Sequence, residues 1–574
     1  MKAAKYLVAA SMLALTACGG IPHDGVIHHG ESVASGDGQF IRVIARPPVD
    51  DMTPEQIVRG FLDACADPTS TFSIARQYLT PQANESWNPG TGIQIYDGNW
   101  LKLAHGTGTV TLTAPKDSTV SANGHLSFSS QATNVTSEFG LVQDAAHQWR
   151  ISNLGNGLLL ARSDFERSFR SSPLYFLNDD DSALVPDSIV LPTSSAGAAT
   201  SVTRSLLEGP SAELKPAVES AFPPGTKLTY NSVPVNGGIA QVDLSAEVLA
   251  ASRVERDKLS AQLVATLTAV QGVSGVRITV SGQPLKVPGV DSVQTMADWT
   301  RFPIRLDPTH AASFFVRDSQ VLRLEDGQAV TVSQMPKGEV GRIAAAAISP
   351  SGGTVAVATM DGKTLLVGDL QAKPLRVIAT GEAFARPAWD HHGNIVVPDN
   401  GRGLFAFNRD GNPVSLTVSD SPIGTLKEIR HIAIANDGTR IALVYRSGTV
   451  DSIGVGIIVH TGSGIVISQI HRVERSVVTV NDIVWANSTS LEILGGRSAS
   501  YQELLSVDTA NGQTVVASAP IGAQGISVDA LGNIFVAVMD GKHETIVKQT
   551  FGPWEPVIAG RSPFTGYVAK VSTP

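Results

Sequence analysis

The chain has 574 residues, of which 42% are hydrophobic and 17% are charged. The hydrophobic fraction is enough to build packed cores and excludes global disorder, and the length predicts about three or four domains. With 54 Gly and 32 Pro, the composition favours turn-rich β structure over long charged helices. The formal net charge of -9 and the lack of a long Lys/Arg run argue against nucleic acid as a partner.

The N-terminus has the pattern of a secretory signal. Two lysines precede an apolar stretch, residues 6–15, that is too short to span a bilayer. Leu15 to Cys18 then resembles the bacterial lipobox, in which the cysteine is lipidated and becomes the first mature residue. We predict a lipoprotein signal peptide over residues 1–17, with Leu15, Ala17 and Cys18 recognised by the signal peptidase. Cys18 would carry S-diacylglycerol and an N-acyl group; an ordinary secretory signal is the alternative.

The mature chain is expected to sit on the extracytoplasmic face of the bacterial cell membrane. No other segment has 18 consecutive apolar residues, so membrane lipid would be its partner only through the acyl chains at Cys18. Residues 18–50 lack apolar periodicity and predict a tether. The only other cysteine, Cys65, lies on the apolar face of a helix that Thr53 can cap. We therefore predict a buried thiol and no reactive or metal-binding one.

Two α+β domains are expected after the tether. In residues 51–165, helical periodicity gives way to the alternation of antiparallel strands. Residues 166–198 contain Asp179-Asp180-Asp181 between prolines and are expected to be a connecting segment. Without the alternating pattern of a calcium loop, the three aspartates predict a solvated acidic turn. In residues 199–289, helices alternate with strands and predict a second α+β module.

From residue 300 to residue 574 a repeat replaces the helical periodicity. Copies of one turn end at Gly352, Gly393, Gly438 and Gly532. A period of about 45 residues that yields strands and turns is typical of a propeller blade. We predict a multidomain chain in which two α+β domains precede an all-β propeller of about six blades, with five or seven left open. A longer-period array of β-sandwiches is the alternative.

No catalytic motif emerges from the sequence, and we expect no enzyme, no cofactor and no metal. The chain has neither a Gly-x-Ser-x-Gly elbow nor a Walker loop. His543-Glu544 is followed at position 547 by Val, so the two-histidine zinc motif is incomplete.

Two kinds of residue still invite a binding interpretation. The adjacent pairs His28-His29 and His391-His392 would point to opposite faces of an extended chain, so neither pair could readily share one metal ion. Trp389 and Trp485 could stack on sugars, but both occupy the same place in the repeat, which favours packing between blades.

Taken in order, these segments resemble the LpqB family of actinobacterial lipoproteins. The mature start Cys18-Gly19-Gly20-Ile21-Pro22, the stretch Ala75–Pro81 and Leu184–Asp187 are similar to the family's N-terminal region. Leu206–Pro210 and Val242–Ser245 look like the GerMN module of sporulation and germination proteins. The C-terminal repeat corresponds to the family's propeller.

The resemblance implies a non-enzymatic accessory protein that binds and modulates a membrane sensor histidine kinase of the MtrAB type. Through that kinase it would affect cell-wall homeostasis and division. Two other hypotheses stay open: a lipoprotein whose propeller face binds peptidoglycan or another glycan, and a hydrolase or quinoprotein whose site is assembled in the propeller funnel from distant residues.

Overall fold

The structure is a computed structural model that describes residues 45–67, 72–128, 133–193, 197–304, 311–325, 327–335, 342–370, 374–419, 428–474, 477–498, 501–549 and 552–567. These described residues belong to one compact unit. Among them, no helix is both long enough and apolar enough to cross a membrane. The predicted signal peptide, with Leu15, Ala17 and Cys18, and most of the predicted tether lie outside the described residues.

The first domain packs short helices against a mostly antiparallel sheet. Helix α1 (Pro54–Cys65) begins after Thr53, whose side chain accepts a hydrogen bond from the Gln56 amide and completes a capping box. Cys65 is buried on its apolar face, as predicted, and burial raises the pKa of its thiol. The other elements are α2 (Pro81–Ser86), β1 (Gly92–Tyr96), β2 (Lys102–Gly106), β3 (Thr109–Ser121), β4 (Leu126–Phe128), β5 (Asn134–Gln143), β6 (Trp149–Asn153), β7 (Leu158–Ala161) and α3 (Arg162–Ser168), with 3-10 turns at Ala75–Tyr78, Pro89–Thr91 and Gly98–Trp100.

The sheet of this domain has the order β6-β5-β3-β1-β7, and β2 and β4 also pair with β3. Only the pair β1–β7 is parallel among these. The long strand β3 alternates buried and partly buried side chains over most of its length, which is the pattern of a sheet with one face on a core.

The second domain begins earlier than the sequence indicates. Residues 166–198, expected to be a connecting segment, contain a long hairpin of β8 (Phe169–Asn178) and β9 (Leu184–Pro192). Its apolar side chains share one core with helices α4 (Ala198–Glu208) and α5 (Arg253–Thr268). Strand β9 is at the edge of its sheet, where prolines are tolerated because one side of the strand needs no ladder hydrogen bonds.

A second, four-stranded sheet completes this domain. Its order is β11-β12-β13-β14, and helix α5 connects the parallel pair β12–β13. The remaining elements are β10 (Val218–Glu219), which pairs with β8, β11 (Val235–Asn236), β12 (Ile239–Leu244), β13 (Gly275–Val280) and β14 (Gln283–Pro284), with 3-10 turns at Ala246–Ala250 and Met296–Trp299.

The described residues from 311 onward form six sheets, which confirms the predicted propeller. The strands are β15 (Ala311–Arg317), β16 (Gln320–Glu325), β17 (Gln328–Gln334); β18 (Ile343–Ile348), β19 (Thr354–Thr359), β20 (Thr364–Asp369), β21 (Arg376–Thr380); β22 (Ala388–Trp389), β23 (Ile395–Asp399), β24 (Gly403–Phe407), β25 (Pro413–Val414); β26 (Leu416–Val418), β27 (Ile429–Ile434), β28 (Arg440–Ser447), β29 (Val450–Thr461), β30 (Gly464–Glu474); β31 (Thr479–Trp485), β32 (Ser490–Ser498), β33 (Tyr501–Asp508), β34 (Thr514–Ser518); β35 (Ala523–Val528), β36 (Ile534–Asp540), β37 (His543–Gln549), β38 (Glu555–Ala559); and β39 (Arg561–Tyr567).

The ring is closed by its last strand. β39 pairs antiparallel with β15 and becomes the innermost strand of the first blade. Phe564 of β39 stacks on Phe314 of β15, with ring centroids 5.6 Å apart. The fourth blade carries a fifth strand, β26, which pairs parallel with β30. Without β39, the inner edge of β15 would be unpaired, so the last strand completes the four-stranded sheet of the first blade.

Trp389 and Trp485 pack between blades, as predicted. The Trp389 Nε1 donates to the carbonyl of Ala347, and the Trp485 Nε1 donates to the carbonyl of Ala433, each over 2.9 Å. Each acceptor belongs to the innermost strand of the preceding blade. The two residues are only 7% and 4% exposed, so their rings offer little surface on which a sugar could stack.

Candidate functional site

The second domain contacts one end of the propeller through the turn of hairpin β8–β9. The Asn178 side chain in this hairpin donates to the carbonyl of Asp437, over 3.5 Å. The Arg440 guanidinium donates to the carbonyl of Pro186, over 2.5 Å. Asp437 lies in the turn before β28 and Arg440 is the first residue of β28, so the contact lies at the end of the ring where the innermost strands turn into the second strands of the blades.

Asp179, in the same hairpin turn, faces three histidines of the propeller. Its Oδ1 lies 2.5 Å from the His391 Nε2, and its Oδ2 lies 3.2 Å from the His392 Nε2. The Oδ2 also lies 3.0 Å from the Nδ1 of His460, which is in β29. One ligand atom from each of the four residues lies within 4.8 Å of the others. We call these four residues the histidine cluster.

A buried carboxylate supports the histidine cluster from behind. The His460 Nε2 lies 2.9 Å from the Oδ2 of Asp390, whose side chain is fully buried. Asp390 is itself fixed, because it accepts hydrogen bonds from the backbone amide and the side-chain amide of Asn394. The orientation of the His460 ring is therefore set by Asp390 on one side and by Asp179 on the other.

The electrostatics of the histidine cluster follow from this geometry. Burial lowers the pKa of His460, but the hydrogen bonds and charges of Asp179 and Asp390 outweigh it and raise this pKa to about 9. Burial raises the pKa of the Asp179 carboxyl, but hydrogen bonds with His391 and His460 outweigh that effect and hold the pKa well below its ordinary value. The site thus favours an ionised Asp179.

Two sequence predictions need correction here. Asp179 is not part of a merely solvated turn: Asp180 caps the amide of Ser182, Asp181 pairs with Lys258, and Asp179 faces the propeller. His391 and His392 lie in a turn of the repeat, between β22 and β23, so the extended-chain argument does not apply to this pair, whose ring centroids are 4.4 Å apart. The expectation of no metal site rested on that extended geometry and on the incomplete zinc motif at His543.

Sequence reasoning missed His460 altogether. The residue belongs to a long strand with no motif around it, and only the fold brings it to within 4.0 Å of the His392 ring, centroid to centroid. A signal was present at the turn itself. The other copies of this turn, which end at Gly352, Gly438 and Gly532, contain no histidine, whereas this copy carries the sequence Asp-His-His-Gly.

A second contact joins all three domains. The His471 Nδ1, in β30, lies 3.1 Å from a carboxylate oxygen of Glu213 in the second domain. The ring of the same histidine stacks on Phe128 of the first domain, with centroids 5.9 Å apart. Nearby, Arg162 of the first domain donates to the carbonyl of Asn511 in the fifth blade, over 2.7 Å. These hydrogen-bond, ion-pair and ring contacts connect the three described domains.

The opposite end of the propeller has a cavity with exposed apolar side chains around it. This cavity, of about 280 Å³, lies where the innermost strands begin. Inside it, Arg386 and Asp482 form a salt bridge of 2.8 Å, and both side chains are largely buried. Met360 and Met539 line the same cavity and are 53% and 42% exposed. The backbone amide of Met539 donates to the carbonyl of Gly522, and the residue before this glycine, Ile521, is 96% exposed. We call Met360, Met539 and Ile521 the distal apolar rim.

Family models match at residues 47–166 (lipoprotein LpqB, N-terminal domain), 173–286 (sporulation and spore germination) and 319–563 (lipoprotein LpqB β-propeller domain). Two proteins named lipoprotein LpqB are similar: one from Cutibacterium acnes, 28% identical with 86% of each chain covered, and one from Streptomyces coelicolor, 26% identical with 96% of this chain and 95% of that one covered. A solved structure of TolB from Acinetobacter baumannii covers 47% of this chain and 69% of its own, at 15% identity and a TM-score of 0.36.

Proposed function

Since the chain belongs to the LpqB family of lipoproteins, we propose that it is a lipid-anchored, extracytoplasmic accessory protein that binds and modulates a membrane sensor histidine kinase. By family resemblance the kinase is of the MtrAB type, and the outcome is an effect on cell-wall homeostasis and division. The protein is proposed to act by binding and to catalyse no reaction.

We propose that Cys18 is the anchor. The signal peptidase would recognise Leu15, Ala17 and Cys18 and cleave the chain just before Cys18. A diacylated cysteine confines the protein to two dimensions beside its partner, which raises effective concentration without new contacts. Cys18→Ala should release the protein from membranes or leave an uncleaved precursor, whereas Cys65→Ala, the matched control at the other cysteine, should leave it on the membrane. Intact mass of the mature protein measures the acyl chains directly, and an unacylated N-terminus would contradict the anchor.

The observation that carries the binding role is the distal apolar rim. Exposed apolar side chains around a concavity are typical of protein interaction surfaces, and methionine adapts its shape to a partner. The rim lies at the end of the ring opposite the contact with the second domain, so a partner could bind there without disturbing the domain contacts. We propose that the extracellular domain of the kinase docks at this end.

Site-specific crosslinking in the native membrane tests this proposal. A photoreactive residue at position 521 should capture the sensor kinase, whereas the same residue at position 100, where Trp100 is 66% exposed in the first domain, should not. Ile521→Asp should weaken capture from a third position on the rim, because it places a charge in an apolar contact. Capture of wall polymer alone, or equal capture from positions 521 and 100, would contradict the proposed surface.

The glycan-binding alternative has no comparable support, because the two tryptophans that suggested it, Trp389 and Trp485, are buried between blades. Sedimentation of the protein with purified cell wall, in parallel with the crosslinking, separates the two functions. Retention on the wall without capture of a kinase would favour the alternative.

A further inference from the structure

We propose that Asp179, His391, His392 and His460 bind one divalent transition-metal ion, of which Zn²⁺ is the best match, and that this ion joins the second domain to the propeller. The proposal concerns a site separate from the distal apolar rim and does not depend on the identity of the partner protein.

The donor set is the first argument. Three imidazoles and one carboxylate are the ligands that Zn²⁺ takes in tetrahedral sites, with metal–nitrogen and metal–oxygen distances of about 2.0–2.2 Å. Ligand atoms around such an ion are therefore about 3.3 Å apart. The three Asp179–histidine distances in the structure are 2.5, 3.2 and 3.0 Å, and the whole set falls within 4.8 Å. The ligand atoms furthest apart would have to approach each other by about 1.5 Å at most to reach this spacing.

The surroundings of His460 are the second argument. A histidine that ligates a metal with one ring nitrogen usually donates the other N–H to a carboxylate, which fixes the ring and raises its basicity. The His460 Nδ1 faces Asp179 while its Nε2 faces Asp390, over 2.9 Å. Asp390 is buried and held by Asn394, so this outer carboxylate is rigid.

The third argument is the convergence of the rings. The centroids of the His391, His392 and His460 rings are 4.0, 4.4 and 4.8 Å apart, and all three direct a nitrogen toward the single carboxylate of Asp179. An imidazole nitrogen that is not protonated has a lone pair that a metal ion can accept, so one ion near this point would be bound by all three rings.

The number of ligands indicates what the ion would do. Four protein ligands complete a tetrahedral zinc site and leave no open position for water, which is the pattern of structural sites. The ligands come from three separate segments, the turn after β8, the turn after β22 and the strand β29. Binding would therefore fix the orientation of the second domain on the propeller and stabilise the folded chain.

Metal binding is best measured on the full chain, purified in detergent without a polyhistidine tag and stripped with a chelator. Because His23, His28 and His29 could bind metal on their own, all variants are made in a background in which these three are alanine. Equilibrium dialysis against Zn²⁺ should give one ion per chain in this background. Co²⁺ should give the visible absorption of a tetrahedral complex, and Zn²⁺, but not Mg²⁺ or Ca²⁺, should raise the melting temperature.

His392→Ala is the decisive variant, since His392 is the most exposed of the three histidine ligands, with 39% of its side chain accessible. It should lose the bound ion and the Zn²⁺-dependent rise in melting temperature, while the matched control His543→Ala, an exposed histidine elsewhere on the propeller, should keep both. Asp390→Asn should weaken Zn²⁺ binding by about 10- to 100-fold without removing a ligand.

Three outcomes would overturn the proposal. They are the absence of stoichiometric Zn²⁺ binding by the background protein, unchanged affinity in His392→Ala, and an equal rise in melting temperature with Mg²⁺. If His392→Ala fails to fold, the affinity of Asp390→Asn decides, because its unchanged binding would equally refute the site.

Discussion

Adding one methyl group at Gly438 tests how tightly the turn that contains it packs against the turn that contains His391. The residue closes the turn between β27 and β28 with φ of +74°, a left-handed conformation that costs a residue with a Cβ roughly 1–2 kcal/mol. A Cβ at this position would lie 2.2 Å from Nδ1 and 2.5 Å from Cγ of His391. Gly438→Ala must therefore both strain the turn and displace the His391 ring.

Gly532 is the matched control. It occupies the same position in the corresponding turn of the sixth blade, with φ of +83°, and a Cβ there would meet nothing within 4 Å. In both turns the glycine amide donates to the carbonyl three residues earlier. Gly532→Ala should cost about 1 kcal/mol of unfolding free energy, because the backbone strain is partly offset by the lower entropy of the unfolded chain.

Gly438→Ala should cost about 2–4 kcal/mol, since overpacking adds about 1–3 kcal/mol to the same backbone term. Urea unfolding followed by tryptophan fluorescence, with chelator present throughout, gives both values. In the double variant Gly438→Ala/His391→Ala the extra cost should disappear, which a double-mutant cycle reports as a coupling of about 1–3 kcal/mol. Equal losses for the two single glycine variants would refute the reasoning.

Two further predictions concern single contacts. Trp389→Phe removes the donor to the Ala347 carbonyl and should lower the free energy of unfolding, measured in urea, by about 1–3 kcal/mol. Trp100→Phe, at an exposed site, should change this free energy by less than about 0.5 kcal/mol, and equal effects of the two variants would contradict the role of the hydrogen bond. Burial and Arg440 lower the pKa of His471, but Glu213 outweighs them, so the folded-state pKa is raised above 6.5. The difference in unfolding free energy between wild type and His471→Gln should be largest below pH 6.5 and decrease as the pH rises through the folded-state pKa of His471. A difference that does not depend on pH would contradict this.

The parts of the fold that the sequence predicts are those encoded locally or by repetition. Helix α1 is predictable because Thr53 and Gln56 form a capping box next to an apolar face. The propeller is predictable because each blade repeats the same strands and turns, and Trp389 and Trp485 recur at one position of that repeat. In each case a few neighbouring residues suffice for the inference.

The hairpin β8–β9 and the histidine cluster are not encoded in this way. In a sequence, prolines indicate a loop unless the strand that contains them is known to lie at the edge of a sheet. Pro186 and Pro192 belong to such an edge strand, β9. The cluster joins Asp179 to His391 and His460, which are more than 200 residues further along the chain. No spacing rule connects such residues, because their proximity results from how two domains pack.

The way in which β39 closes the ring has a consequence for how the protein matures. Residue 567 pairs with residue 311, about 250 positions earlier, so the first blade is incomplete until the chain has been made as far as β39. Contacts between such distant segments slow folding, since the entropy of a large loop is lost before the pairing compensates for it. A premature stop that removes only the final strand would leave β15 as a bare edge, and chains of that kind should be captured by proteases or aggregate.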